Sequence, residues 1–278
     1  MSQSSTRGHT AAFRHAADAV VCVAALALIA ASLAALAARL WWGFELFAHF
    51  RVQYVAAQLP LAVLLAMLRR RRFAAVVALA AVPNVLPLVP YLAPGAQAAA
   101  SGRTLDVVAV NVEWRNPSAK GLLETLAAET PDVIVVVELT ETWVERLRPL
   151  LEHYPYRVLA PERGAFGIGL LSRHPLEDAR AFPLETTTAI EARVAAPGGP
   201  MRVIGVHLRP PVTKDDAAER RRQLERLAAL SAQRSEPVAV CGDFNLTPYS
   251  PEFTGFVRRT GLRDSRAGRG PEIGRAHV

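Results

Sequence analysis

Val240-Cys241-Gly242-Asp243-Phe244-Asn245-Leu246-Thr247-Pro248 is the stretch on which the reading of the fold turns. An apolar strand opens into a tight turn there. The turn projects Asp243 and Asn245, two residues apart, and alternate positions of an extended chain point the same way. In α/β sheets the strand ends are where sites form, so this stretch predicts both a sheet and a site at its edge.

Working outward, Asp215–Gln233 predicts a long polar helix with Leu224, Leu227 and Leu230 facing inward. The run Arg220-Arg221-Arg222 lies among Asp215, Asp216, Glu219 and Glu225, and reads as a solvated, internally paired face. Upstream, strands are expected at Thr104–Asn111, Asp132–Glu138, Tyr156–Leu159, Gly167–Ser172, Ala189–Val194, Arg202–Leu208 and Pro237–Cys241. Pro117–Thr130 places Leu122, Leu123 and Leu126 on one helical face between the first two strands. From 156 to 208 the strands follow one another without helices, and Pro197-Gly198-Gly199-Pro200 reads as a hairpin-like turn. The expected fold class is α/β: two mixed sheets covered by helices.

The amino-terminal third has another character. Ala19–Ala38, Val52–Leu68 and Phe73–Ala93 carry no charge and have the length of bilayer spans. Because two apolar runs follow the first, a cleaved leader is the weaker reading of Ala19–Ala38. Between the first two spans, Trp41-Trp42-Gly43-Phe44-Glu45-Leu46-Phe47 suits the headgroup level. Residues 1–93 are thus expected to form a membrane domain of about three spans. Arg69-Arg70-Arg71-Arg72 falls in a short loop, and such loops stay cytoplasmic. Three spans then carry residue 94 onward outside. Residues 94–102 read as a linker, reaching at most roughly 30 Å even when extended, and 103–271 as the soluble domain.

Charge divides along the same line. Residues 1–100 hold eight arginines against Asp18 and Glu45, so most of the net +7 belongs to the membrane part. A near-neutral soluble part has no global attraction for a phosphate backbone, so a dedicated nucleic-acid binder is disfavoured. Cys22 and Cys241 sit in different parts of the chain and form neither a disulfide framework nor a metal site.

Five polar residues stand where strands are expected to stop: Asn111, Glu138, His207, Asp243 and Asn245. Singly, each has an ordinary reading as a turn cap, a helix cap or a core histidine. Together, Gly242-Asp243-Phe244-Asn245 resembles the GDFN motif of the endonuclease/exonuclease/phosphatase superfamily, which includes DNase I-like nucleases, sphingomyelinases and inositol phosphatases. The remaining parts occur in that family's order: Asn111, Glu138, Gly167–Arg173 (GIGLLSR), then Val206-His207-Leu208 before a long helix. The resemblance covers roughly Thr104 to Gly270, and the three-span amino terminus is similar to a bacterial membrane-anchored branch.

The resemblance implies a metal-dependent phosphoesterase with a DNase I-like α/β sandwich. It implies Glu138 as ligand of Mg2+ or Mn2+, with Asn111 supporting the metal or the phosphate. It implies Asp243 orienting or deprotonating the attacking water, and Asn245 donating to the phosphate or holding that aspartate. His207 would donate to a phosphoryl oxygen. Glu191 resembles a family carboxylate that orients this histidine, or else is an exposed strand residue. Trp114 and Arg115 are candidates for the cleft wall, and Asn116 a weaker one.

The family's closing Asp and Asp-His pair are not found before Val278, and His277 follows Ala276 rather than an Asp. The domain is therefore expected to be carboxyl-terminally truncated. Residues 272–278 are expected to be a non-native tail, since EIGRAHV is what the start of a common sequencing adapter encodes. The expected partners are the lipid bilayer and a phosphorylated, possibly lipid-linked substrate. The alternatives are an extracytoplasmic nuclease or a non-catalytic phospholipid-binding membrane protein.

Overall fold

A computed structural model describes residues 3–92 and 104–270, without the side chains of residues 3–15 and 17. The linker expected at 94–102 and the tail expected at 272–278 lie outside the described residues. The chain divides into two compact units, one carrying the amino-terminal helices and one carrying two sheets.

The first unit contains α1 (Gln3–Leu36), α2 (Trp42–Ala48), α3 (Arg51–Met67), α4 (Arg71–Val85), a 3-10 turn (Leu86–Leu88) and α5 (Val89–Leu92). Two segments, Asp18–Leu36 and Arg71–Leu92, are long and apolar enough to cross a membrane. A third span exists only if α2 and α3, bent by 61° at their break, count as one. Small residues let the helices approach: Ala25, Ala74 and Val77 bury against Leu65. A polar knot joins them. Asn84 Nδ2 and Gln58 Nε2 each donate to Ser32 Oγ at 2.8 Å, and all three residues are buried. Arg51 donates to the Ala35 and Pro83 carbonyls at 3.0 and 2.8 Å, near the carboxyl ends of α1 and α4, where a cation meets the negative end of a helix dipole.

The second unit contains β1 (Val107–Asn111), α6 (Lys120–Glu129), β2 (Val133–Val137), α7 (Glu141–Arg146), α8 (Arg148–Leu151), β3 (Tyr156–Ala160), β4 (Ile168–Ser172), β5 (Leu176–Leu184), β6 (Thr187–Val194), β7 (Met201–His207), α9 (Lys214–Ala232), β8 (Val238–Asp243) and α10 (Pro251–Thr260). One sheet runs β1-β2-β4-β3 and the other β5-β6-β7-β8. In each, one pair is parallel, β1 with β2 and β7 with β8, and the other pairs are antiparallel.

Alternation along β2 explains the layering. Val133, Val135 and Val137 face the second sheet and bury against Ile190, Ala192, Val194 and Val203. Ile134 and Val136 face the other way, onto α6, α7 and α8. The outer face of the second sheet is covered by α9 and α10 through Leu224, Leu227 and Phe256. Gly205 allows the two sheets to approach, since a Cβ there would stand 2.8 Å from Val135 Cγ1. The start of α9 is fixed by a capping box in which Thr213 and Asp216 exchange side-chain and backbone bonds.

β5 was not anticipated. Its sequence LEDARAFPL carries charge and Pro183, which suits an edge strand, and its pairing with β6 shifts register between Glu177 and Arg180. The reading of Arg220-Arg221-Arg222 as a solvated face also needs correction. Arg221 and Arg222 are more than half exposed, whereas Arg220 is completely buried.

Candidate functional site

The parallel pairs β1–β2 and β7–β8 end at residues that converge. Asn111 closes β1 opposite Val137, and Glu138 follows directly. His207 and Asp243 are register partners at the ends of β7 and β8. Asn111 joins the two sheets: its Nδ2 donates to Glu138 Oε1 at 2.8 Å and to Asp243 Oδ2 at 3.1 Å. The other face of that amide is held as well, because Asn111 Oδ1 accepts from the Glu113 backbone at 2.9 Å. Glu138 Oε2 accepts from the Trp114 backbone N–H at 3.0 Å.

Glu138 has φ +65° and Glu113 φ +51°, left-handed values that cost a side-chain-bearing residue energy. Two such residues, one carrying the carboxylate and one fixing the Asn111 amide that donates to it, mark a place where geometry is specified against local preference. Gly242 has φ +129°, and a Cβ there would stand 2.0 Å from the Val206 carbonyl oxygen. Only glycine lets β8 pass β7 closely enough to bring Asp243 beside His207.

His207 is buried between Phe166, with ring centroids 5.2 Å apart, and Asp243, whose Oδ2 is 3.9 Å from Nε2. Its Nδ1 lies 2.8 Å from the Ala165 carbonyl. A carbonyl only accepts, so Nδ1 carries the hydrogen, and Nε2 accepts when the ring is neutral and donates when it is protonated. Asp243 Oδ1 accepts from the Asn245 N–H at 2.8 Å. Asn245, with φ +51°, sends Nδ2 to the Leu208 carbonyl at 2.6 Å.

Of the residues the sequence singles out, Asn111, Glu138, His207, Asp243 and Asn245 are thus brought together. Glu191 is not. It is buried on β6, where Arg180 donates twice to Oε1, at 2.9 and 2.7 Å, and Arg234 donates to Oε2 at 2.7 Å. Its carboxylate serves an ion-pair cluster rather than His207. Trp114 reaches the site through its backbone, and the Arg115 guanidinium lies 4.5 Å from its ring centroid. Asn116 turns away, its Oδ1 accepting from Ser118 and its carbonyl from Arg146. Cys241, two residues before Asp243, has its thiol pushed up to about 12 by burial, so it is no nucleophile at neutral pH.

Among the described residues no group of three or more His, Cys, Asp or Glu side chains converges as a ready-made metal cage. Glu138 offers carboxylate oxygens of a single charge next to a second carboxylate, Asp243, while the Asn111 amide turns its NH2 toward both and orients them. That fits an ion which keeps most of its waters and takes one or two protein carboxylates, as Mg2+ does. It does not fit a closed nitrogen and sulfur site of the zinc kind.

The sequence pattern of the Endonuclease/Exonuclease/phosphatase family matches residues 108–276. No curated protein matches the chain. Among solved structures, humanized D. rerio TDP2 aligns over 58% of this chain and 68% of its own, with 22% identity and TM-score 0.47. Beta toxin from Staphylococcus aureus with its beta hairpin deleted aligns over 58% and 74%, with 16% identity and TM-score 0.47. Sphingomyelinase C from Streptomyces griseocarneus aligns over 59% and 72%, with 18% identity and TM-score 0.46.

Proposed function

Taking as premise that the chain belongs to the endonuclease/exonuclease/phosphatase family, whose shared chemistry is hydrolysis of phosphoester bonds, we propose that it is a membrane-anchored, metal-dependent phosphoesterase. Its domain acts outside the cytoplasmic membrane, on a phosphate carried by a lipid or lipid-linked precursor. The observation that carries this reading is the single Asn111 amide bridging Glu138 and Asp243 across two sheets, with His207 beside them.

Glu138, supported by Asn111, would hold Mg2+ or Mn2+. When bound, the ion neutralises phosphoryl oxygens that otherwise repel an oxygen nucleophile. Asp243 is the acceptor for a proton of the attacking water: Oδ1 accepts from the Asn245 N–H, and Oδ2, which accepts from Asn111 Nδ2, lies 3.9 Å from His207 Nε2. Asn245 therefore serves by holding the aspartate, the second of its two expected roles. His207 would serve a phosphoryl oxygen through Nε2, since Nδ1 is committed to the Ala165 carbonyl.

Anchoring is supported by the two segments long and apolar enough to cross a membrane, Asp18–Leu36 and Arg71–Leu92, and the outward orientation by the arginine run Arg69–Arg72 before the second of them. Tethering raises the effective concentration of membrane-borne substrate and does nothing for a soluble one. The near-neutral soluble part gives no long-range pull on nucleic acid. The test is the full chain in liposomes with Mg2+ or with EDTA, offered lipid phosphates, nucleotides and DNA. Phosphate release from lipid, abolished by EDTA, is the expected result. DNA cleavage with no lipid hydrolysed would replace this reading with the nuclease one, and binding of lipid phosphate without turnover would replace it with the non-catalytic one.

A further inference from the structure

Helix α9 buries three polar residues: Glu219, Arg220 and Gln223. Each pins a backbone segment. Glu219 Oε1 accepts from the Thr186 N–H at 3.2 Å, and Gln223 Oε1 accepts from the Arg209 N–H at 2.9 Å, two residues beyond His207. Arg220 is the most deeply placed. Its Nη1 donates to the Asn245 carbonyl at 3.0 Å, while Nε and Nη2 approach Glu252 Oε2 at 3.2 and 3.1 Å, in the first turn of α10.

We propose that Arg220 is a positioning residue for Asp243, acting through the backbone of Asn245. Asn245 sits at φ +51°, the left-handed region that asparagine enters more readily than other side-chain-bearing residues, so the turn is allowed by its own residue while the direction of its carbonyl is set by a partner. Arg220 fixes the direction of its carbonyl. With that carbonyl fixed, the Asn245 N–H points at Asp243 Oδ1, its side chain reaches the Leu208 carbonyl, and the Leu208 N–H returns to the Asp243 carbonyl at 2.8 Å. The loops that follow β7 and β8 are thereby tied to each other and to α9. The outcome is one orientation of the Asp243 carboxylate, with Oδ2 left toward Asn111 and His207.

Stability alone does not account for an arginine at this place. Ion pairs this deep are often replaced by well-packed apolar side chains at no loss. What an apolar side chain cannot do is hold an inward-facing carbonyl. This inference rests on the phosphoesterase reading for its functional meaning, and its geometric part is measured separately.

The experiment compares the full chain in detergent micelles with Arg220→Met and with the double variant Arg220→Met/Glu252→Leu, which removes the pair as a unit. Three quantities are read: unfolding temperature, kcat and KM for Mg2+-dependent hydrolysis of a generic phosphoester, and hydrogen exchange at the Asn245 amide. Arg220→Met is expected to lose both stability and turnover. The double variant is expected to recover unfolding temperature to within about 3 °C of the parent. Its kcat should stay roughly ten- to hundredfold down with KM little changed, and the Asn245 amide should lose protection while the rest of β8 keeps it. Recovery of kcat together with unfolding temperature, or retained protection at Asn245, would overturn the proposal. A parent that hydrolyses nothing, with protection still lost in the double variant, would leave the positioning role standing and sink the phosphoesterase reading instead.

Discussion

Replacing Glu138 with glutamine tests the metal site through stability as well as activity, because two effects of similar size oppose each other there. The carboxylate accepts from Asn111 Nδ2 at 2.8 Å and from the Trp114 N–H at 3.0 Å. Glutamine has one oxygen, so one of these donors is left facing an NH2 group. A hydrogen bond to a charged group contributes roughly 1.5–3 kcal/mol, so the substitution costs about 2 kcal/mol on this account. Against it stands repulsion. The same Asn111 nitrogen donates to Asp243 Oδ2 at 3.1 Å, so the two carboxylate oxygens lie no more than about 6 Å apart, where like charges repel by about 3 kcal/mol at an effective dielectric of 20 and under about 1 kcal/mol in bulk water. Neutralising Glu138 removes that term. In EDTA the variant should therefore unfold within about 1 kcal/mol of the parent, about 2–4 °C either way for a domain of this size. Mg2+ separates them: at tenfold above its dissociation constant an ion that binds only the folded state adds about 1.4 kcal/mol. The parent's unfolding temperature should rise by several degrees on Mg2+ addition and the variant's should not, while turnover falls by orders of magnitude. Thermal unfolding followed by circular dichroism, with and without 10 mM-range Mg2+ (about that order, set by the dissociation constant measured), reads all of this. Equal stabilisation of both proteins by Mg2+ would refute Glu138 as the ligand. A variant destabilised far beyond 1 kcal/mol (about 4 °C or more) in EDTA would refute the balance of terms and make Glu138 a structural residue.

Three further outcomes are expected. Glu191→Gln weakens a buried carboxylate held by Arg180 and Arg234, and since the Arg180 side chain is 60% exposed the loss should be about 2 kcal/mol, below the usual figure for a fully buried pair; turnover per folded molecule should stay within twofold or so of the parent, and a larger specific loss would return Glu191 to the site. Gly242→Ala forces a methyl to within 2.0 Å of the Val206 carbonyl at φ +129° and should cost at least about 3 kcal/mol, seen as loss of folded protein or a collapse in unfolding temperature; an unchanged unfolding temperature would mean that β7 and β8 do not approach as described. A reporter active only outside the cytoplasm, fused after residue 100, should be active, and activity from a cytoplasm-only reporter there would overturn the proposed orientation.

The second unit was legible in outline because its strands are short β-branched runs and its helices carry spaced leucines. Periodicity placed β2 and α9 within a residue or two. β5 escaped because an edge strand has one free rim and one exposed face, and its charged residues and Pro183 satisfy those demands while erasing the apolar signal. In the first unit, apolar length identified the segments but not the bend between α2 and α3. That bend falls beside Arg51, whose side chain reaches carbonyls of two other helices; such a partner is set by packing, and no local pattern announces it.

The site divides the same way. Asn111, Glu138, His207 and Asp243 could be named from sequence because they stand at expected strand ends in the order of the family's motifs; position alone left each an ordinary reading, and it is the parallel strands in facing sheets that bring their ends to one place. What sequence could not supply was the pairing. Glu191 and Asp243 are both carboxylates on strands of one sheet, with β7 between them, yet Arg234, 43 residues from Glu191, captures the first, and Asn111, 132 residues from Asp243, captures the second. Arg220 shows that the limit is partly one of interpretation. It lies on the stripe Ala217, Arg220, Leu224 and Leu227, all buried, at the three- and four-residue spacing of an inward helix face. The flanking Arg221 and Arg222 made the trio read as one solvated run, although a 3.6-residue turn sends consecutive side chains about 100° apart. A charged residue in register with the apolar stripe is a candidate for a buried partner, and the carbonyl it holds here belongs to the turn that carries Asp243.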